Sequence, residues 1–313
     1  MRIAGVLALV LLLGACSGEG SDISDLGFPD AEVPASLSAG CPPRGATLRL
    51  PGGDLPTGAV GVRLCPGRPQ LNYDGNVSEP GIQAPLDELV TDVDRVVDVV
   101  NALPDQPDQV DCPFDGGPDL VFWFRYADGD ARAVSYGSKG CHSLVVGGDR
   151  NRERGQDVAT AFAEALRAQR DASTPPAASP EPAACDHAYS EPVSALPPVP
   201  IDLASARWCV GAKKGIRSAA IPESLLRRIN DSPLTPVPSI REGCVPSNFG
   251  STIQGLTAWG DRVVMLMEGC DRVQARSGFG REHNDDVHRF GDAGVQAALE
   301  ALRLGPLETY DDG

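Results

Sequence analysis

The sequence predicts an α+β protein of two tandem duplicated domains, each an antiparallel sheet with one or two packed helices and two disulfides. Three observations carry that prediction. A unit of strand, tight turn, strand, Gly-Cys step and amphipathic helix runs from Asp119 to Arg167 and recurs in weaker form from Thr252 to Arg303. The cysteine spacing repeats as well: Cys41 to Cys65 and Cys185 to Cys209 are each 24 residues apart, and Cys112 to Cys141 and Cys244 to Cys270 are 29 and 26 apart. Between the copies, residues 171–184 hold Pro175, Pro176, Pro180 and Pro182 with no apolar periodicity, the composition of a stiffened linker.

The 313 residues allow about two domains of ordinary size. The chain starts with a basic Arg2 and an apolar run, Ile3 to Leu13, too short to span a bilayer as a mature helix. It is followed by Leu13-Gly14-Ala15-Cys16, with small residues at the two positions before a cysteine. This motif resembles the bacterial lipobox. The resemblance implies that residues 1–15 are a signal peptide, that the Cys16 thiol is diacylated, and that the lipid holds the chain on the extracytoplasmic face of the cell membrane. Residues 16–40, polar and rich in Gly and Pro, then read as a disordered tether.

Eight cysteines remain once Cys16 is set aside, an even number in an exported chain, which reads as disulfides. If each copy closes on itself in the same way, three pairings per copy survive. Conserved loop length favours Cys41–Cys65 with Cys112–Cys141, and Cys185–Cys209 with Cys244–Cys270. Loops of this size are worth about 3 to 4 kcal/mol each in the chain-entropy model. The cysteines lack the close C-x₂-C clustering of a zinc site.

In the first domain, residues 41–170, Ala46 to Leu50 and Ala59 to Cys65 read as strands split by the turn Pro51-Gly52-Gly53-Asp54. Pro85 to Leu103 reads as a helix, with Leu86, Leu89, Val90, Val93, Val96, Val97, Val100 and Leu103 on one stripe and Pro104 as its stop. From Asp119 to Tyr126, alternation sends Leu120, Phe122, Phe124 and Tyr126 to the core and Val121, Trp123 and Arg125 to the other face. Asp128-Gly129 is a hairpin turn, Ala131 to Tyr136 and His142 to Val146 are return strands, and Gln156 to Arg170 is a helix. In the second domain, residues 185–304, a strand from Ile201 to Cys209 and a short helix, Pro222 to Ile229, precede a hairpin turning at Gly260-Asp261. A long loop holding Phe279 to Phe290 leads to the last helix, and residues 305–313 read as an acidic tail.

Function is less legible. With 43 acidic against 27 basic residues the net charge is −16, which opposes binding to nucleic acid or to anionic membrane surfaces. The chain has no G-x-S-x-G, no P-loop and no H-E-x-x-H, so no catalytic residue, metal or cofactor is assigned. His283 and His288, with Glu282, Asp285 and Asp286, read as a solvated polar loop. Two features suggest binding. Trp123 with Arg125 has the composition of an interface hot spot, with Leu256 and Ala258 at the aligned positions of the second copy. Arg150, Arg152 and Arg154 form a basic cluster before a helix, where an anion could sit. The chain as a whole resembles envelope lipoproteins of GC-rich Gram-positive bacteria in its lipobox, linker and acidic body. The expectation is a non-enzymatic surface binding module whose partner is an envelope protein or ligand. The alternatives are a solute-binding lipoprotein with its site between the domains, and an envelope hydrolase.

Overall fold

The computed structural model describes residues 40–42, 50–67, 82–107, 119–137, 140–147, 150–176, 185, 193–196, 202–212, 214–237, 250–269, 272–276 and 287–309. The lipobox with Cys16, the tether, most of the strand expected at 46–50, and Cys112, Cys244 and Cys270 lie outside them. Among the described residues the chain is mixed α+β, with two antiparallel sheets, four helices and the disulfides Cys41–Cys65 and Cys185–Cys209. Cys141 is disulfide-bonded as well.

The first half contains β1 (Ala59–Pro66), β2 (Ile82–Gln83), α1 (Val93–Ala102), β3 (Asp119–Tyr126), β4 (Ala131–Gly137), β5 (Leu144–Gly147), β6 (Arg150–Arg152) and α2 (Gly155–Asp171). Its sheet runs in the order β1-β3-β4-β5-β6. Alternation along β3 buries Leu120, Phe122 and Phe124 completely, and they meet Val96, Val97 and Val100 of α1 and Val158, Phe162 and Leu166 of α2. Both helices therefore lie on one side of the sheet. Phe122 and Phe162 meet edge to face at 5.6 Å, a favoured aromatic geometry. Gly155 begins α2 where a Cβ would come within 2.8 Å of the Tyr136 ring and 2.7 Å of the His142 carbonyl. That close approach lets α2 settle on β4.

After α2 comes β7 (Val193–Ser194), which pairs in parallel with β2 rather than with the second sheet. The second half contains β8 (Leu203–Ala212), β9 (Gly215–Ala220), α3 (Glu223–Asp231), β10 (Leu234–Pro236), β11 (Ser251–Thr257), β12 (Arg262–Gly269), β13 (Arg272–Arg276), β14 (Val287–Phe290), α4 (Gly294–Glu300) and β15 (Glu308–Thr309). Its sheet order is β10-β14-β13-β12-β11-β8-β9-β15. Trp208, Ile253 and Met265 pack beneath α3 and α4 through Leu225, Leu226, Ile229, Val295 and Leu299.

The same backbone devices occur in both halves. β1 pairs with β3 through Cys65 opposite Val121, and β8 with β11 through Cys209 opposite Thr252. Both pairs carry a register shift six residues before the cysteine, beside Ala59 and Leu203. Both hairpins close with the same two hydrogen bonds, Tyr126 N to Asp130 O with Gly129 N to Tyr126 O, and Thr257 N to Asp261 O with Gly260 N to Thr257 O. Gly129 and Gly260 sit at φ 86° and 83°, a region that glycine enters without steric cost. Leu89 N donates to Val62 O, and Ile221 N donates to Ala206 O, each at 3.0 Å.

Several expectations are corrected. The helix expected over Pro85–Leu103 begins only at Val93, because Leu89 is bridged to Val62 at the sheet edge and Asp92 is left-handed at φ 54°. The Gln169 amide holds this segment extended. It accepts from Val90 N (2.7 Å) and Thr91 N (3.0 Å) and donates to Glu88 O (2.8 Å). Leu86 and Val90, placed on the buried stripe by spacing, are exposed. The long loop over Phe279–Phe290 ends in strand β14, and residues 305–313 include edge strand β15, paired with β9. Residues 193–196, expected within the second domain, belong with the first: Ala195 is fully buried in the first core and its N–H donates to Gln83 O.

One helical asparagine in each half ties the helix to the extended chain. Asn101 exchanges two hydrogen bonds with the Leu55 backbone (2.7 and 2.9 Å), and Asn230 exchanges two with the Leu203 backbone (3.0 and 2.9 Å). Truncation strands a buried donor and acceptor, at about 1–3 kcal/mol. Asn101→Ala and Asn230→Ala should each lower the thermal midpoint by several degrees, read by circular dichroism, while an exposed control such as Arg227→Ala stays at the wild-type value.

Candidate functional site

The helices cover one face of the first sheet, and Trp123 lies on the other. Its cross-strand neighbours are Arg63 of β1 and Ala133 of β4. The indole is half-buried and rests on a small cluster of Cys65, Val121, Ala133 and Cys41, so the Cys41–Cys65 disulfide forms part of its floor. Arg125, two residues on, is exposed. Its guanidinium donates to both oxygens of Glu88, from Nε at 2.5 Å and Nη2 at 2.8 Å, and that hydrogen bonding raises its pKa above the ordinary arginine value. Arg63 approaches the same carboxylate at 3.8 Å and donates to Leu86 O at 2.9 Å. The site is thus a half-exposed aromatic ring beside an Arg63–Glu88–Arg125 rim, with small residues Gly61, Ala131 and Ala133 leaving its surroundings shallow. Such a surface can stack a planar or apolar group while the rim orients it.

Hairpin register changes the alignment with the second half. Tyr126 corresponds to Thr257 and Val121 to Thr252, so Trp123 faces the position of Gln254 and Arg125 that of Leu256, not Leu256 and Ala258 as the sequence suggests. Gln254 is 1% exposed, accepts from Arg262 and donates to Thr252 Oγ1. Among the described residues, the position equivalent to Trp123 in the second half therefore carries no aromatic ring.

Two of the three clustered arginines are paired with carboxylates. Arg152 points inward and is 5% exposed. Its Nη1 donates to Val100 O at 2.5 Å and its Nη2 to Asp54 Oδ1 at 2.6 Å. It neutralises the carbonyl end of α1 and ties β6 to it. Arg154, left-handed at φ 61°, precedes α2 and is paired with Asp157. Arg150 opens β6, and its side chain lies outside the described residues. Beside this region Tyr136 is fully buried, with its hydroxyl 3.3 Å from His142 Nδ1. Burial pushes its pKa up to about 12.

The two halves contact each other directly at Arg170 and Gln83. The guanidinium of Arg170, at the end of α2, forks between two carboxylates. Nε and Nη2 donate to Asp87 (3.0 and 2.6 Å), and Nη1 and Nη2 donate to Asp261 (2.5 and 3.2 Å). It also lies 5.0 Å over the Trp259 ring. The Arg170 and Asp261 side chains are 9% and 6% exposed. Burial opposes the charge on Arg170, but the hydrogen bonds from Asp87 and Asp261 outweigh it and raise its pKa. Gln83 grips the same hairpin tip, donating to Gly260 O at 3.1 Å and accepting from Arg262 N at 2.6 Å. Sequence reasoning missed this cluster, since its members are separated by 83 and 91 residues and no local pattern links them.

Among the described residues no group of three or more His, Cys, Asp and Glu converges as a metal site, and no helix is long and apolar enough to cross a membrane. His288 lies in β14, while His283, Asp285 and Asp286 are outside the described residues. No protein-family model, curated protein or solved structure matches the chain.

Tyr136 gives the fold an alkaline limit. Its pKa in the folded protein is about 12, above the ordinary 10, so its contribution is intact below pH 10 and unfolding releases a proton between pH 10 and 12. In that window stability should fall with rising pH by up to about 1.4 kcal/mol per unit. Denaturant titrations from pH 9 to 12 should show the slope in the wild type and a shallower one in Tyr136→Phe.

Proposed function

We propose that this chain is a lipid-anchored, non-enzymatic interaction module of the cell envelope, built by tandem duplication of one α+β unit and bound to its partner through the Trp123 face. The observation that carries the reading is a difference between two sheets that share several backbone devices but have five and eight strands. The bulge, hairpin closure, edge hydrogen bond and cysteine-bearing strand recur in both halves. At equivalent positions on the helix-free faces, one half places a half-exposed tryptophan and the other a buried glutamine that hydrogen-bonds within its own sheet. A difference concentrated on one outer face, over a shared internal framework, is what a recognition surface acquired by one copy would leave.

The disulfides support an extracytoplasmic compartment, since such bonds persist in oxidising surroundings. The lipobox then accounts for attachment, with Cys16 as the acylated residue. Against the alternative of a hinged solute receptor stand the direct contacts between the halves, from Arg170 to Asp261 and from Gln83 to Gly260.

Crosslinking of the full-length protein in cells, followed by non-reducing pull-down, tests the reading. One partner should be recovered in near-stoichiometric amount, and Trp123→Ala should reduce that recovery without changing the thermal midpoint by more than a few degrees. Recovery of the protein alone would remove the interaction reading. A Trp123→Ala protein that melts far lower would make the indole a structural element. For the anchor, Cys16→Ser should move the protein from the membrane fraction to the soluble one.

A further inference from the structure

We infer that the two halves form one rigid, cooperative body, fastened non-covalently so that each half completes the other. This is independent of what the Trp123 face binds. Three fasteners carry it, all on one seam. In the first, Arg170 from α2 is forked between Asp87 of its own half and Asp261 of the second, with the Trp259 ring beneath it. The Asp261 carboxylate is itself tied into the hairpin, accepting from Thr257 Oγ1 at 3.3 Å, so a pull on Arg170 is transmitted to β11 and β12. In the second, the Gln83 amide pairs with Gly260 O and Arg262 N at the hairpin tip, as a neighbouring strand would. In the third, the connecting chain is gripped at both ends. Cys185 is bonded to Cys209 of β8, while a few residues later Val193–Ser194 pair with β2 and Ala195 is fully buried in the first core.

The charges explain why the seam holds. A cation 9% exposed between two carboxylates is stable only while all three stay together. Parting the halves would separate Arg170 from Asp261 and re-expose both. A linker of ordinary inter-domain type leaves its domains free to reorient. Here the connecting segment is itself a strand and core residue of the first half. The inference therefore makes the linker dispensable after folding, and it fixes the orientation of the Trp123 face relative to the second half.

Cleavage of the folded chain tests this. A protease site is placed between Pro176 and Cys185, the full-length soluble form is folded and oxidised, and the chain is then cut. On a non-reducing denaturing gel the cut protein should run as two pieces. By native gel filtration at micromolar concentration it should run as one species of uncut size, with a single unfolding transition. In cut Arg170→Ala the pieces should dissociate at least about 100-fold more readily. If Arg170→Ala does not fold, cut Gln83→Ala supplies the comparison, because it strands no buried charge and should weaken association by about tenfold. Two pieces separating natively in the cut wild type would overturn the inference. So would two independent unfolding transitions, or a single non-reduced band on the denaturing gel.

Discussion

Arg170 is the residue on which the arrangement of the whole chain depends. It is a buried cation with two carboxylate partners, one supplied by the edge segment of its own half and one by a hairpin 91 residues away. Buried ion pairs seldom add net stability, because the desolvation of each group offsets the attraction. Their effect is on geometry. A planar guanidinium with bidentate partners on two sides and an aromatic ring beneath tolerates little rotation. Asp87 is held near the segment that Gln169 keeps extended, Asp261 by the tight turn at Gly260, and Arg170 by the rigid last turn of α2. The seam therefore inherits the precision of three separate local structures.

The two halves share several internal devices. Both sheets receive their helices on one face and leave the other to a disulfide-bearing strand. Cys41–Cys65 and Cys185–Cys209 have the same sequence separation and the same Cα–Cα distance, 5.8 Å. In both halves the chain after the last helix returns to the edge strand that precedes the first, as β7 beside β2 and as β15 beside β9. The direction differs, parallel in one case and antiparallel in the other, and β7 with β2 forms a separate two-stranded sheet, whereas β15 extends the second sheet beyond β9.

Local patterns in the sequence carried the elements whose partners are near in sequence. The alternation of Leu120, Phe122 and Phe124, the Asp128-Gly129 turn, the α2 stripe and the 24-residue cysteine spacing all correspond to what is built. Failures came where a distant partner decided. Leu86, Leu89 and Val90 have helical spacing, but Val62 and the Gln169 amide hold that stretch extended. β9 carries the weakly patterned sequence Gly215-Ile-Arg-Ser-Ala-Ala220 and becomes a strand only because β8 offers an edge. Arg152 looked like one of three equivalent surface arginines, yet the carbonyl of Val100, 52 residues away, draws it inside. The Trp123 pairing with the second half slipped by two residues because the hairpin register, not the aromatic pattern, sets the equivalence.

The docking of the second hairpin onto the first half is a head-to-tail contact, in which the tip of one unit enters the helix end of the unit before it. Contacts of that kind do not close on themselves and can repeat without limit. The corresponding positions of the second half differ. Counting from the shared Glu-Ala-Leu-Arg at the helix ends, the place of Arg170 falls on Pro306 in the second half, and the edge position of Asp87 falls on Ala219. Neither residue can form the ion pairs made by Arg170 and Asp87. At the other end, Asp130 in the first hairpin is neutralised locally by Arg132. The seam contact is of the repeating kind, yet its charged residues occur in the first half and not at the equivalent positions of the second.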